Sequence, residues 1–87
     1  LIGDGMVTVR FFAMLKGLAG TDERLYKIDG QVTVEDLKAM IKRDFPGLGA
    51  LLDSRSLLVS INQEFAQKGA LVKDGDEVGF LPPFSGG

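Results

Sequence analysis

The side chains of this 87-residue chain that could do chemistry are carboxylates, amines, guanidinium groups, hydroxyls and one tyrosine. Cys, His and Trp are absent. Disulfides, thiolate nucleophiles, cysteine–zinc sites and iron–sulfur clusters are therefore excluded, as are histidine-dependent triads and the common transition-metal sites. What remains favours a carrier or binding role over a self-contained enzyme.

The internal candidates are modest. Asp74, Asp76 and Glu77 cluster as a hard cation site would, but without EF-hand spacing, and Asp-Gly-Asp is ordinary chemistry for a solvated turn. No metal centre is expected. Gly17-Leu18-Ala19-Gly20 fits a Gly-x-x-Gly loop of RNA-binding modules over four residues only, in an acidic chain. Glu35, Asp36 and Asp53 could act as acids or bases, but the first pair suits a helix N-terminus and Asp53 has no evident partner.

The chain end is the sharper signal. At an average glycine frequency of about 7%, a terminal Gly-Gly arises by chance roughly once in 200 chains. Here Gly86-Gly87 follow two stiff prolines, Pro82 and Pro83, and then Phe84 and Ser85. A main-chain carboxylate becomes electrophilic once its oxygen is turned into a leaving group, as in an acyl-adenylate. Glycine has no Cβ to block approach to that carbon or passage through a narrow channel. Fully extended, residues 82–87 reach about 20 Å, enough to enter another protein's active site while the body docks outside.

The body must position this tail. Met6–Phe12 alternates, with Val7, Val9 and Phe11 on one face and Phe12 on the other, which predicts a strand. Ala13–Asp22, holding Gly17 and Gly20, reads as a loop or one irregular turn, and Glu23–Ile28 as a second strand, a hairpin partner of the first. Thr33 with Asp36 three residues on predicts a capping box, and Val34, Leu37, Met40, Ile41 and Phe45 predict an amphipathic helix ended at Phe45-Pro46-Gly47. Leu48–Leu52 suggests a 3₁₀ turn. Leu57–Ile61, Glu64–Gln67 and Glu77–Leu81 are three further strands, with Leu71 and Val72 plugging the core from a loop. The order β-β-α-β-β-β predicts an α+β fold, one main helix on a mixed sheet of about five strands. Residues 1–5 are expected to be a disordered extension or cloning remnant, 6–83 the domain, and 84–87 a flexible tail.

Phe12 and Leu81 point away from the core face if Phe11 and Phe80 point in, and Phe65 joins them, which predicts an apolar partner-binding patch. With 45% hydrophobic and 25% charged residues the chain can build a small core. A net charge of −2 provides no basic footprint for nucleic acid or acidic lipid, and no apolar run approaches a membrane span. The expectation is a cytoplasmic protein without nucleic-acid or membrane partners.

Three stretches carry a family resemblance: Val9–Leu15, Val59–Glu64, and Lys73–Val78 running into Pro82-Pro83-Phe84-Ser85-Gly86-Gly87. The chain resembles the ubiquitin-like β-grasp proteins, and among them the small, sulfur-carrying subunits of molybdopterin synthase. Phe84 stands where that family more often has a smaller apolar residue, which bears on the fit of the tail. The resemblance implies that an E1-like adenylyltransferase, using ATP and magnesium, adenylates Gly87. Sulfur then replaces AMP to give a terminal thiocarboxylate. The loaded tail, Pro82 through Ser85 followed by Gly86, enters the large synthase subunit, with Phe12, Phe65 and Leu81 as docking residues. There it supplies sulfur to cyclic pyranopterin monophosphate. The chain itself is implied to hold no cofactor and to be a non-catalytic subunit. Alternatives within the fold are carriers for thiamine, cysteine or tRNA thiolation, and a ubiquitin-like protein modifier.

Overall fold

The computed structural model describes residues 4–67 and 69–82. Strand β1 (Asp4–Phe11) begins earlier than the alternation suggests, because main-chain pairing needs no apolar pattern. Asp4 and Gly5 pair with Asp29 and Ile28 of the antiparallel strand β2 (Glu23–Asp29). The expectation that residues 1–5 lie outside the fold is thus corrected for these two; residues 1–3 fall outside the described residues. The Met6 N–H donates to the Asp74 carboxylate at 2.9 Å, tying this end of β1 to a distant turn.

The loop expected over 13–22 contains a short helix, α1 (Met14–Ala19). Ala13 enters it at φ 54°, ψ −128°, and the Leu15 N–H donates to the Phe12 carbonyl at 3.1 Å, closing a tight turn. Leu15 is fully buried, so tertiary packing holds this helix where intrinsic propensity would not. The Gly-x-x-Gly stretch is its last turn, with Gly20 left-handed at φ 76° as the C-cap.

After β3 (Val32–Thr33), α2 (Val34–Asp44) starts as expected. Thr33 Oγ1 accepts the Asp36 N–H at 3.0 Å, and the Asp36 carboxylate accepts the Thr33 N–H at 3.2 Å. Val34, Leu37 and Ile41 are buried against the sheet, while Met40 and Phe45 pack at the flank. Phe45 meets Phe11 edge-on at 5.6 Å between ring centroids. The Tyr26 hydroxyl donates to Asp44 at 2.8 Å; burial, and then the Asp44 carboxylate, push its pKa well above the ordinary tyrosine range. Pro46–Leu48 forms a 3₁₀ turn that continues into α3 (Gly49–Leu52), and both carry leucines, Leu48 and Leu52, fully into the core.

The second half supplies β4 (Leu58–Ile61), β5 (Glu64–Phe65), β6 (Leu71–Val72) and β7 (Glu77–Leu81). The main sheet runs β2-β1-β7-β4-β5 and is mixed: β1 and β7 are parallel, the other pairs antiparallel. Its inner face, Val7, Val9, Phe11, Tyr26, Ile28, Val78 and Phe80, packs with α2 in one buried cluster. β6 pairs with β3 in a separate ribbon, so 71–72 is a strand and not a loop. Val72 plugs the core as expected, but Leu71 lies 54% exposed, since adjacent strand residues face opposite ways. No helix among the described residues is long and apolar enough to cross a membrane.

Candidate functional site

Strand register decides which expected docking residues meet. Leu58 lies opposite Leu81, Ser60 opposite both Gly79 and Phe65, and Phe11 beside Phe80. Directly paired residues share a face and neighbours in a strand alternate. With Phe11, Val78 and Phe80 on the helix side, Phe12, Gly79, Leu81, Leu58, Ser60 and Phe65 all belong to the outer face. The three residues singled out from the sequence are thus brought onto one surface. Phe65 is 71% exposed, Phe12 39%, and Leu81 half-buried beside the half-buried Pro82. Pro83, Phe84, Ser85, Gly86 and Gly87 lie outside the described residues.

Leu58, 49% exposed, also belongs to this patch, beyond the three residues expected from the sequence. The signal was present: Val59 and Ile61 pack against the core, so Leu58 between Leu57 and Val59 must turn outward. A second contributor has no side chain at all. A Cβ on Gly79 would stand 2.7 Å from Ser60 Oγ and 3.0 Å from Phe12 Cε2. The bare backbone there lets the Phe12 ring lie across β7 toward β4.

The patch has a charged border. The Arg10 guanidinium sits 5.9 Å from the Phe12 ring centroid and pairs with Glu77 at 3.3 Å and, more loosely, Glu23 at 3.9 Å. At the sheet edge, Leu58 and Phe65 also line a groove of ≈ 540 Å³ that extends to Val34 and Glu35 of α2, with Arg55 among its walls. An apolar centre with a polar rim is the composition of a protein-docking surface. It lies at the end of the sheet where β7 gives way to residues 82–87.

The internal acid candidates have other occupations. Asp36 caps α2, Glu35 pairs with Lys38 at 3.3 Å, and Asp53 pairs with Lys42 at 2.7 Å. Asp74 holds Met6, and Glu77 holds Arg10. Among the described residues, no three acidic groups converge as metal ligands would. Asp76 corrects the expectation of a plain solvated turn, being only 5% exposed. Its carboxylate accepts the Asn62 side-chain amide and the Lys73 N–H, each at 2.9 Å. Burial raises its pKa, but the Lys73 N–H, the Asn62 amide and the Lys73 ammonium outweigh that and hold it below the usual aspartate value.

Residues 9–87 match the ThiS family. The chain is 35% identical over 82 residues to the molybdopterin synthase sulfur carrier subunit of Escherichia coli, covering 94% of this chain and 100% of that one. Its fold is similar to that of small archaeal modifier protein 1 from Methanosarcina acetivorans, with a TM-score of 0.81 and 29% identity over 97% of this chain and 98% of that one. It is also similar to a chain in the complex of subunits 1 and 2 of molybdopterin-converting factor from Helicobacter pylori. There the TM-score is 0.66 and the identity 29%, over 94% of this chain and 99% of that one. The expected α+β, β-grasp architecture, with one main helix on a five-stranded mixed sheet, is shared with these structures.

Proposed function

The chain belongs to the ThiS family, and on that premise we propose that it is the sulfur carrier of a molybdopterin synthase, loaded at Gly87. The observation that carries this reading is the apolar outer face. It gathers at the end of β7, where the chain continues into Pro82-Pro83-Phe84-Ser85-Gly86-Gly87. The body docks through Phe12, Leu58, Phe65 and Leu81 while the narrow tail reaches the partner's reaction centre. The likeness to a chain of the complex of subunits 1 and 2 of molybdopterin-converting factor supports a large-subunit partner.

The chemistry is assigned to the chain end. The Gly87 carboxylate attacks the α-phosphorus of ATP held with magnesium by an E1-like enzyme, and pyrophosphate leaves. A sulfide-level donor then attacks the acyl carbon, the bond to AMP breaks, and a thiocarboxylate remains. In the large subunit that sulfur attacks a carbon of cyclic pyranopterin monophosphate, and the C–O bond at that carbon breaks with the oxygen leaving as the new C–S bond forms; water then cleaves the acyl–sulfur bond and restores the carboxylate. Two such deliveries make the dithiolene. This chain contributes reach, an unhindered terminal carbon and a docking surface, while acids and bases come from its partners.

Intact mass after incubation with the E1-like enzyme, ATP, magnesium and a sulfur donor tests the reading. One oxygen should be replaced by sulfur, and removal of Gly87 should abolish that exchange while leaving the thermal transition in place. A truncated chain that still gains sulfur at its end would overturn the assignment. The likeness to small archaeal modifier protein 1 favours a second reading, isopeptide attachment of Gly87 to lysines. Lysine conjugates recovered from cells would establish that role.

A further inference from the structure

The most exposed docking residue stands on the shortest strand of the main sheet. Among the described residues, β5 has two residues, pairs with β4 alone, and lies at the edge of the sheet. The turn feeding it, Asn62-Gln63, has both residues left-handed, at φ 53° and 71°. Two-residue turns of this kind favour Asn followed by Gly, and Gln63 lacks that freedom. The ladder holds Phe65 through its pairing with Ser60 and through the Ala66 N–H, which donates to the Val59 carbonyl at 2.8 Å, and the turn chemistry adds little to it.

The turn itself is fixed from elsewhere in the chain. Asn62 is fastened to the start of β7 at three points. Its N–H donates to the Glu77 carbonyl at 2.8 Å, its side-chain oxygen accepts the Glu77 N–H at 2.9 Å, and its side-chain amide donates to the Asp76 carboxylate at 2.9 Å. Asp76 is itself anchored by the Lys73 N–H at 2.9 Å, and its carbonyl accepts the Thr8 N–H of β1 at 3.0 Å. An exposed turn is thereby bolted to a buried carboxylate next to the central strands. Burying a carboxylate is costly unless its hydrogen bonds are made, so this arrangement is a committed one.

We propose that the Asn62–Asp76 clasp is a positioning device: it holds the β4–β5 turn so that Phe65 is presented in the orientation the partner subunit reads. The proposal rests on the docking role given to the outer face above. Asn62 and Asp76 touch no partner in this scheme; they act through Phe65.

The test compares Asn62→Gly, Phe65→Ala and the double variant in the full chain, by titration against the large synthase subunit. Backbone order parameters of the free chain at Phe65 are measured in parallel. Glycine keeps the left-handed turn and the main-chain bond to Glu77 while removing the side-chain clasp. The expected result is a cooperative fold, lowered order at Phe65, and binding weakened by about tenfold. Asn62→Gly should add no further loss on the Phe65→Ala background, because the clasp works only through that ring. A merely structural role would give equal losses on both backgrounds, and that result overturns the proposal. So does unchanged order at Phe65, or wild-type affinity for Asn62→Gly when Phe65→Ala binds weakly. If neither Phe65→Ala nor Leu81→Asp weakens binding, the docking reading itself fails and takes the clasp's purpose with it.

Discussion

Phe65 and Phe80 lie in neighbouring parts of one sheet and should answer truncation in opposite ways. Complete burial of a phenylalanine side chain is worth about 1.5–3 kcal/mol. Phe65 leaves 71% of its surface open, so the fold gains less than about 1 kcal/mol from it, and a partner that covers the remainder gains about 1–2 kcal/mol. Phe65→Ala should therefore move the melting temperature by a few degrees at most, while weakening the complex with the large subunit by about five- to thirtyfold. Phe80 is fully buried, and Phe80→Ala should destabilise the domain by about 3–5 kcal/mol, a large part of the stability of so small a protein. Calorimetric titration, with thermal melts of each free variant, separates the two effects. The reasoning is refuted if Phe65→Ala binds the large subunit within twofold of the parent chain. It is refuted equally if Phe65→Ala costs the free domain as much as Phe80→Ala does.

Other outcomes follow from single contacts. Ala13→Gly relieves a backbone conformation that costs a side-chain-bearing residue about 1–3 kcal/mol; part of that gain is offset by the entropy glycine loses on folding. A melting temperature raised by several degrees is expected, and a fall would show that the turn is unstrained. Leu15→Ala should cost about 2–5 kcal/mol in chemical denaturation, since the side chain is fully buried; a loss below about 1 kcal/mol would mean that α1 is not part of the core. Asp76 has a folded-state pKa below its ordinary value of 3.8, so its stabilising contribution is complete above that value and disappears as pH falls through the folded pKa. Denaturation between neutral pH and pH 2 should show a loss of stability in the acid range that Asp76→Asn reduces; identical pH profiles would contradict the depressed pKa.

How much of this was legible in the sequence depends on the range of the interactions involved. Thr33 and Asp36 cap α2 through bonds three residues apart, and Val7, Val9 and Phe11 alternate within one strand, so local reading finds them. The same alternation turns Phe12 and Leu81 outward. The chemical proposal for Gly86-Gly87 draws on local sequence too, on the residue types of the tail together with the resemblance to the sulfur-carrying subunits. What local reading misses was decided by packing between distant segments. Helix α1 has no side-chain cap, and a glycine, Gly17, lies inside it; it is anchored by the burial of Leu15. Asp4 and Gly5 become strand because β2 offers them backbone partners, with no apolar pattern to announce it. Asp76 sits in a sequence that reads as a solvated turn, and only its meeting with Asn62, 14 residues away, makes it a buried anchor. Which apolar side chains share the outer face was likewise a matter of register between β1, β7, β4 and β5. Alternation within a strand specifies two faces, but only the pairing of strands brings Phe12, Leu58, Phe65 and Leu81 onto the same one.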